Sequence, residues 1–212
     1  MFIISSLEIL FKEGGMTAFF IVGSGLALII LAITKINYLY FRLRPAGDNN
    51  LKEISKLVLK KEYTTAIQVC NGARNVPEFD VIKSGLMAVD GGREAMKSSL
   101  GSAVVEVMKN CEKGIQFISL IASVATLLGL LGTISGLMKT FAALRDIDPA
   151  KKAELLGTGI SEAMTATAAG LIVGISAMVV YTLCTQKIDQ IVGQSKKTGF
   201  DLITLVEQSE RS

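Results

Sequence analysis

Apolar positions along this 212-residue chain gather into three long runs, not into the short amphipathic stripes of a soluble domain. Residues 14–34 and 114–138 hold no charged side chain, and residues 155–186 hold one, Glu162. Each run reaches or exceeds the roughly 20 residues that cross a hydrocarbon core about 30 Å thick. The predicted membrane spans are therefore 14–40, 114–141 and 157–186.

Between the first two spans the pattern becomes helical and amphipathic. Leu51, Ile54, Leu57 and Val58 recur at helical spacing and predict a helix over 50–70, followed by a break from Asn71-Gly72 to Pro77. A second helix is predicted over 78–89, ended by Asp90-Gly91-Gly92. A third starts at Arg93 with Leu100, Val104, Val107 and Met108 as its apolar face. With no Pro or paired Gly before Lys113-Gly114, it is predicted to run on into the second span. Residues 187–212, with Ile188, Ile191, Val192, Phe200 and Ile203 between charges, read as a continuation of the third span. Sustained period-two alternation is missing. The predicted fold is all-α: three transmembrane helices extended by a helical domain over 41–113 and a terminal helix over 187–212.

Composition agrees with a membrane protein, since 50% of the residues are hydrophobic and only 19% are charged, against about 25% charged in soluble domains. More than half of the 22 Lys and Arg lie in residues 41–113, with Arg42 and Arg44 beside the first span and Lys109 and Lys113 before the second. The positive-inside rule places that segment in the cytoplasm. Segments 1–13 and 142–156 then lie on the outer side of the membrane and 187–212 in the cytoplasm. Residues 1–13 carry two Glu and one Lys instead of a basic start, so the first span reads as retained and not as a cleavable signal. A net charge of +3, with basic and acidic residues interspersed, gives no nucleic-acid footprint.

The chain has no His, and Cys70, Cys111 and Cys184 are irregularly spaced. Neither a zinc site nor a disulfide framework is indicated, and buried thiols are the expected role. No cofactor is expected. A single intramembrane carboxylate without His, metal ligands or a nucleophile pair also makes an enzyme an unsuitable reading.

Within the second span, Ser119, Ala122, Thr126, Gly129, Thr133, Gly136 and Thr140 recur at alternating steps of three and four, on one helix face. Such a stripe serves close helix packing, or it lines a narrow path where hydroxyls hold water and pass protons; spacing alone leaves both open. Glu162 lies inside the third span, where a carboxylate costs a few kcal/mol unless it is protonated, paired or beside water. Its face continues as Thr165, Ala166, Ala169, Gly170, Val173, Ser176 and Ala177, with Thr167 toward a flank. The alternative for Glu162 is simple contact with water near the outer interface. Lys139 reads as a residue snorkelling to that interface. Three spans are too few to enclose a pore, so a ring of identical chains, with the first span toward lipid, is the economical assembly.

Two segments make the pattern specific. Leu128-Gly129-Leu130-Leu131-Gly132-Thr133-Ile134-Ser135-Gly136-Leu137-Met138, followed by Phe141, and Gly159-Ile160-Ser161-Glu162-Ala163-Met164-Thr165-Ala166-Thr167-Ala168-Ala169-Gly170-Leu171 resemble the two signature helices of the MotA/TolQ/ExbB proton-channel family. The resemblance implies that Thr133, Glu162 and Thr167 are the pore-associated residues, with Thr126, Thr140 and Thr165 as further hydroxyls. Helix packing falls to Gly129, Gly132, Gly136, Ala166, Ala169 and Gly170. It further implies a bacterial inner-membrane homopentamer around two single-span partner subunits of the ExbD/TolR/MotB type, whose membrane Asp takes the proton. Three spans point to the ExbB/TolQ branch, because MotA-type stators have four; the proline that many ExbB and TolQ chains carry after the signature is replaced by Gly174-Ile175-Ser176-Ala177. The function implied is a subunit of a proton-motive-force-driven motor, with a non-conducting scaffold or a motility stator as the other possibilities.

Overall fold

A computed structural model describes residues 15–72, 75–144 and 148–211. The expected periplasmic segment 1–13, positions 73–74 of the expected break and positions 145–147 of the expected outer loop lie outside the described residues. The helices are α1 (Gly15–Ile36), α2 (Asp48–Leu59), α3 (Tyr63–Gly72), α4 (Pro77–Met87), α5 (Gly92–Glu112), α6 (Ile115–Ala143) and α7 (Pro149–Arg211). A π-helical stretch, Asn37–Arg42, prolongs α1, and a 3-10 turn, Val89–Gly91, precedes α5. No strand occurs among the described residues. Three helices are long and apolar enough to cross a membrane, spanning Ala18–Arg42, Ile115–Ala143 and Pro149–Glu210.

Three boundaries differ from the sequence reading. The helix expected over 50–70 is cut in two at Lys61, which adopts φ 61°. The amides of Lys61 and Glu62 donate to the carbonyls of Val58 (3.0 Å) and Leu57 (2.9 Å), a Schellman-type end in which a lysine takes the place usually held by glycine. Helix α5 stops at Glu112 and does not run into α6, because Gly114 takes φ 84° and the chain turns there. A single glycine was enough, since without a Cβ the left-handed conformation has no steric cost. Helix α7 starts at Pro149, earlier than the expected 157. The Asp148 carboxylate accepts the Ala150 amide at 3.1 Å, and proline at the first helical position loses no needed donor.

The chain divides into two compact units. The first combines α1 up to Thr34 with Gly114–Thr182. In it, α1 buries Ala18, Ile21 and Leu28, one helical stripe, and Gly25 comes close enough to α7 that a Cβ would sit 3.5 Å from Val173. The other face of α1 exposes Phe19, Phe20, Leu26, Ile29, Ile30 and Ile33, an apolar surface of the kind acyl chains cover. The second unit holds Lys35–Lys113 and the α7 segment from Leu183 onward. Its core is Phe79, Val81, Ile82, Leu86, Leu100, Leu202, Ile203 and Val206. The Ser84 and Ser99 hydroxyls lie in hydrogen-bond contact at 2.8 Å and the Ser99 hydroxyl is 2.7 Å from the Ser84 backbone carbonyl, tying α4 to α5, and Arg93 pairs with Glu207 at 2.9 Å.

Gly85 marks the tightest point of that core, where a Cβ would come within 2.7 Å of Leu100 Cδ2 and 2.9 Å of Leu202 Cδ2. Gly85→Val is therefore expected to destabilise the full-length protein by about 1–3 kcal/mol through overpacking. Thermal unfolding in detergent measures it, and an unchanged midpoint would contradict this packing. Cys70, Cys111 and Cys184 are buried free thiols. Burial pushes the Cys70 thiol up to about 11, so it stays protonated at neutral pH and is a poor nucleophile.

Candidate functional site at the crossing of α6 and α7

Small residues bring the backbones of α6 and α7 into direct contact. A Cβ on Gly129 would lie 3.2 Å from Gly170 Cα and from Thr167 Cα; one on Gly170 would lie 2.6 Å from the Ala125 carbonyl oxygen and 2.8 Å from Gly129 Cα. Gly136 faces Ala163, Gly159 faces Thr140, and Gly174 faces Thr126 and the Ala122 carbonyl. Positions rising along α6 meet positions falling along α7, so the two helices run antiparallel with a fixed register. Close approach of this kind is how membrane helices associate where lipid is as apolar as their own side chains.

Along this seam Ile118, Ala122, Ala125, Gly129, Gly132 and Thr140 of α6 are buried, as are Gly159, Ala163, Ala166, Gly170, Gly174 and Ala177 of α7. Ala169 and Gly136 are half-buried at its margins, and Ser119 is exposed. Thr167, which spacing assigns to a flank, instead donates its hydroxyl across the crossing to the Gly129 carbonyl at 2.9 Å. The lack of a Cβ at Gly129 leaves that carbonyl within reach.

The other hydroxyls turn back onto their own helices. Thr126 donates to Ala122 (3.0 Å), Thr133 to Leu130 (2.6 Å), Thr140 to Gly136 (3.0 Å) and Thr165 to Ser161 (2.9 Å). A hydroxyl committed this way still has lone pairs free to accept from water. The glycines and alanines of the stripe pack the two helices together, while the hydroxyls of Thr126, Thr133 and Thr140 bond within α6.

Glu162 is half-buried in a cleft of about 70 Å³ lined also by Gly132, Ser135, Gly136, Lys139, Thr140, Ala163 and Ala166. That volume admits water, so the carboxylate has polar company inside an apolar span. Thr133, Thr165 and Thr167 do not line this cleft. Within one chain, therefore, the structure does not gather Thr133, Glu162 and Thr167 into a single pocket; it places Thr140, Ser135 and Lys139 beside Glu162. Ser135 and Lys139, four residues apart on one margin of α6, join the cleft, although spacing gives Ser135 no role and places Lys139 at the interface. Around the crossing, Leu130, Ile134, Met138, Met164, Leu171, Ile172 and Met178 are exposed large apolar side chains. Among the described residues, no group of three or more Cys, Asp or Glu could hold a metal ion.

Residues 73–197 match the MotA/TolQ/ExbB proton channel family. A biopolymer transport protein ExbB homolog of Methanothermobacter thermautotrophicus is 29% identical over 85% of this chain and 63% of its own length. Biopolymer transport protein ExbB of Pseudomonas putida is 28% identical over 75% of this chain and 47% of its own length. The chain thus spans about half to three-fifths of the length of these two relatives. Tol-Pal system protein TolQ of Pseudomonas aeruginosa is 28% identical over 50% of this chain and 45% of its own. Among solved structures, the C. jejuni MotAB structure superposes with a TM-score of 0.64 at 15% identity, covering 96% of this chain and 78% of that one, which is a likeness of fold. With the profile matching more than half of its residues and with ExbB and TolQ as relatives, the chain belongs to the MotA/TolQ/ExbB proton channel family, in its ExbB/TolQ branch.

Proposed function

We propose that this chain is the ring-forming channel subunit of a proton-motive-force-driven motor in a bacterial inner membrane. Copies of it, five by family resemblance, surround a single-span partner of the ExbD/TolR type whose membrane Asp takes and releases the proton. The amino terminus faces the periplasm and the carboxyl terminus the cytoplasm, as the basic residues of 41–113 favour. The partner's periplasmic part carries force to the outer membrane or envelope.

The observation that carries this reading is the setting of Glu162. A carboxylate is held in a hydroxyl-lined cleft between two closely packed apolar helices, where it costs free energy unless it is protonated, paired or beside water. Its neighbours Ser135 and Thr140 supply acceptors, and Thr167 is fixed across the crossing by its bond to Gly129. One charge crossing the membrane provides about 2.3 kcal/mol per 100 mV, the energy available for each step of partner rotation.

Proton flux into vesicles containing the chain and its partner tests the reading. Thr133→Val together with Thr167→Val keeps side-chain shape and removes both hydroxyls. Flux is expected to fall at least about tenfold, equivalent to about 1.4 kcal/mol in barrier. Unchanged flux would defeat the channel and favour a scaffold that assembles the partner without conducting.

A further inference from the structure

Lys139 and Glu162 line the same small cleft from opposite helices. Thr140 against Gly159 and Gly136 against Ala163 set a register that places Glu162 level with Leu137. Lys139 is two residues further along α6, an axial offset of about 3 Å at the helical rise. A lysine stem reaches farther than that. Among the described residues lining the cleft, Lys139 supplies the one cation and Glu162 the one anion, with Ser135 and Thr140 contributing hydroxyls. No direct ion pair joins the two; the cleft leaves room for water to bridge them. Apart, a lysine and a glutamate inside a bilayer each cost several kcal/mol; together they make a neutral unit.

From this juxtaposition we infer that Lys139 is the tethered counter-cation of Glu162, its ammonium standing where a free metal cation would otherwise bind. A sodium ion needs several oxygen ligands and uncompensated negative charge. This cleft offers the oxygens of Glu162, Ser135 and Thr140, but the ammonium already balances the carboxylate. The inference rests on the channel reading for its consequence: a path through this cleft passes protons, which move along hydroxyls and water, and refuses sodium. Lys139 is a positioning residue, acting through Glu162.

The experiment uses the full-length chain in lipid nanodiscs and reads no ion flux. Thermal unfolding is compared for wild type, Lys139→Gln, Glu162→Gln, the double variant, Lys139→Arg and the exchange Lys139→Glu with Glu162→Lys. Each single neutralisation is expected to lower the midpoint by about 2–4 °C, and the double variant to fall no further than either single. Arginine at 139 and the exchanged pair are expected to restore wild-type stability. Additive losses, or an exchanged pair as weak as the singles, would overturn the pairing. In the same nanodiscs, radiolabelled sodium is expected to be retained about tenfold more by Lys139→Gln than by wild type, with Glu162→Gln abolishing the gain. Equal retention by wild type and Lys139→Gln would overturn the exclusion of sodium. Because neither readout involves transport, a failed flux experiment with a coupled pair would count against the channel alone.

Discussion

Gly170→Ala is expected to destabilise the protein by about 1–3 kcal/mol, whereas Gly193→Ala in the same helix is expected to stabilise it by about 0.5–1 kcal/mol. Both changes add one methyl to α7 and both improve helix propensity. At Gly193 nothing lies within 4 Å of the new carbon, so only the gain in backbone entropy remains. At Gly170 the methyl would stand 2.6 Å from the Ala125 carbonyl oxygen and 2.8 Å from Gly129 Cα. Those are backbone atoms and cannot swing away as a side-chain tip can. The helices must separate, which also lengthens the 2.9 Å bond from Thr167 to Gly129. Thermal unfolding of the two variants in one detergent reads the contrast directly; shifts of the same sign would mean that Gly170 is not at a crossing.

Glu162→Gln is expected to reduce proton flux by at least about 100-fold, roughly 2.7 kcal/mol in barrier, while leaving a protein that still inserts and assembles. Glutamine has nearly the same size and keeps hydrogen-bonding capacity, so the fit beside Ala163 and Ala166 is kept and only the ionisable group is lost. Glu162→Asp keeps the charge but withdraws it by one methylene, and an intermediate rate is expected. Vesicles loaded with a pH-sensitive dye and containing the partner subunit give the measurement. Wild-type flux from the glutamine variant would show that the carboxylate has no part in conduction, whatever its surroundings.

Much of this architecture was legible in the sequence because the bilayer imposes a simple rule. Backbone groups must be satisfied within each span, so long uncharged runs become helices, and the three runs correspond to α1, α6 and α7. The small residues Gly129, Gly136 and Gly170 stood out by spacing, and the structure puts each at the α6–α7 crossing. What the sequence withheld were features decided by side-chain reach and local backbone. Lys61 ends a helix in a conformation more typical of glycine. Gly114 turns the chain although it stands alone. Thr167 lies far from the Glu162 meridian in projection, yet the antiparallel partner crosses there and its hydroxyl finds Gly129. Lys139 looked like an interface residue because helical position alone places it near the outer end of α6. The register of α6 on α7 also brings it to the cleft that Glu162 lines, which helical position alone does not show.

The central claim is that Glu162 is held beside water within the bilayer instead of facing acyl chains. A nitroxide placed at position 162 of the assembled complex, with Cys70, Cys111 and Cys184 replaced by Ala, tests it by electron paramagnetic resonance. Collision with a water-soluble nickel chelate is compared with collision with oxygen, which concentrates in lipid, using labels at the exposed apolar positions Ile172 and Met178 as references. The label at 162 is predicted to meet nickel more often and oxygen less often than either reference. An oxygen-rich, nickel-poor signature matching Ile172 and Met178 would contradict the account.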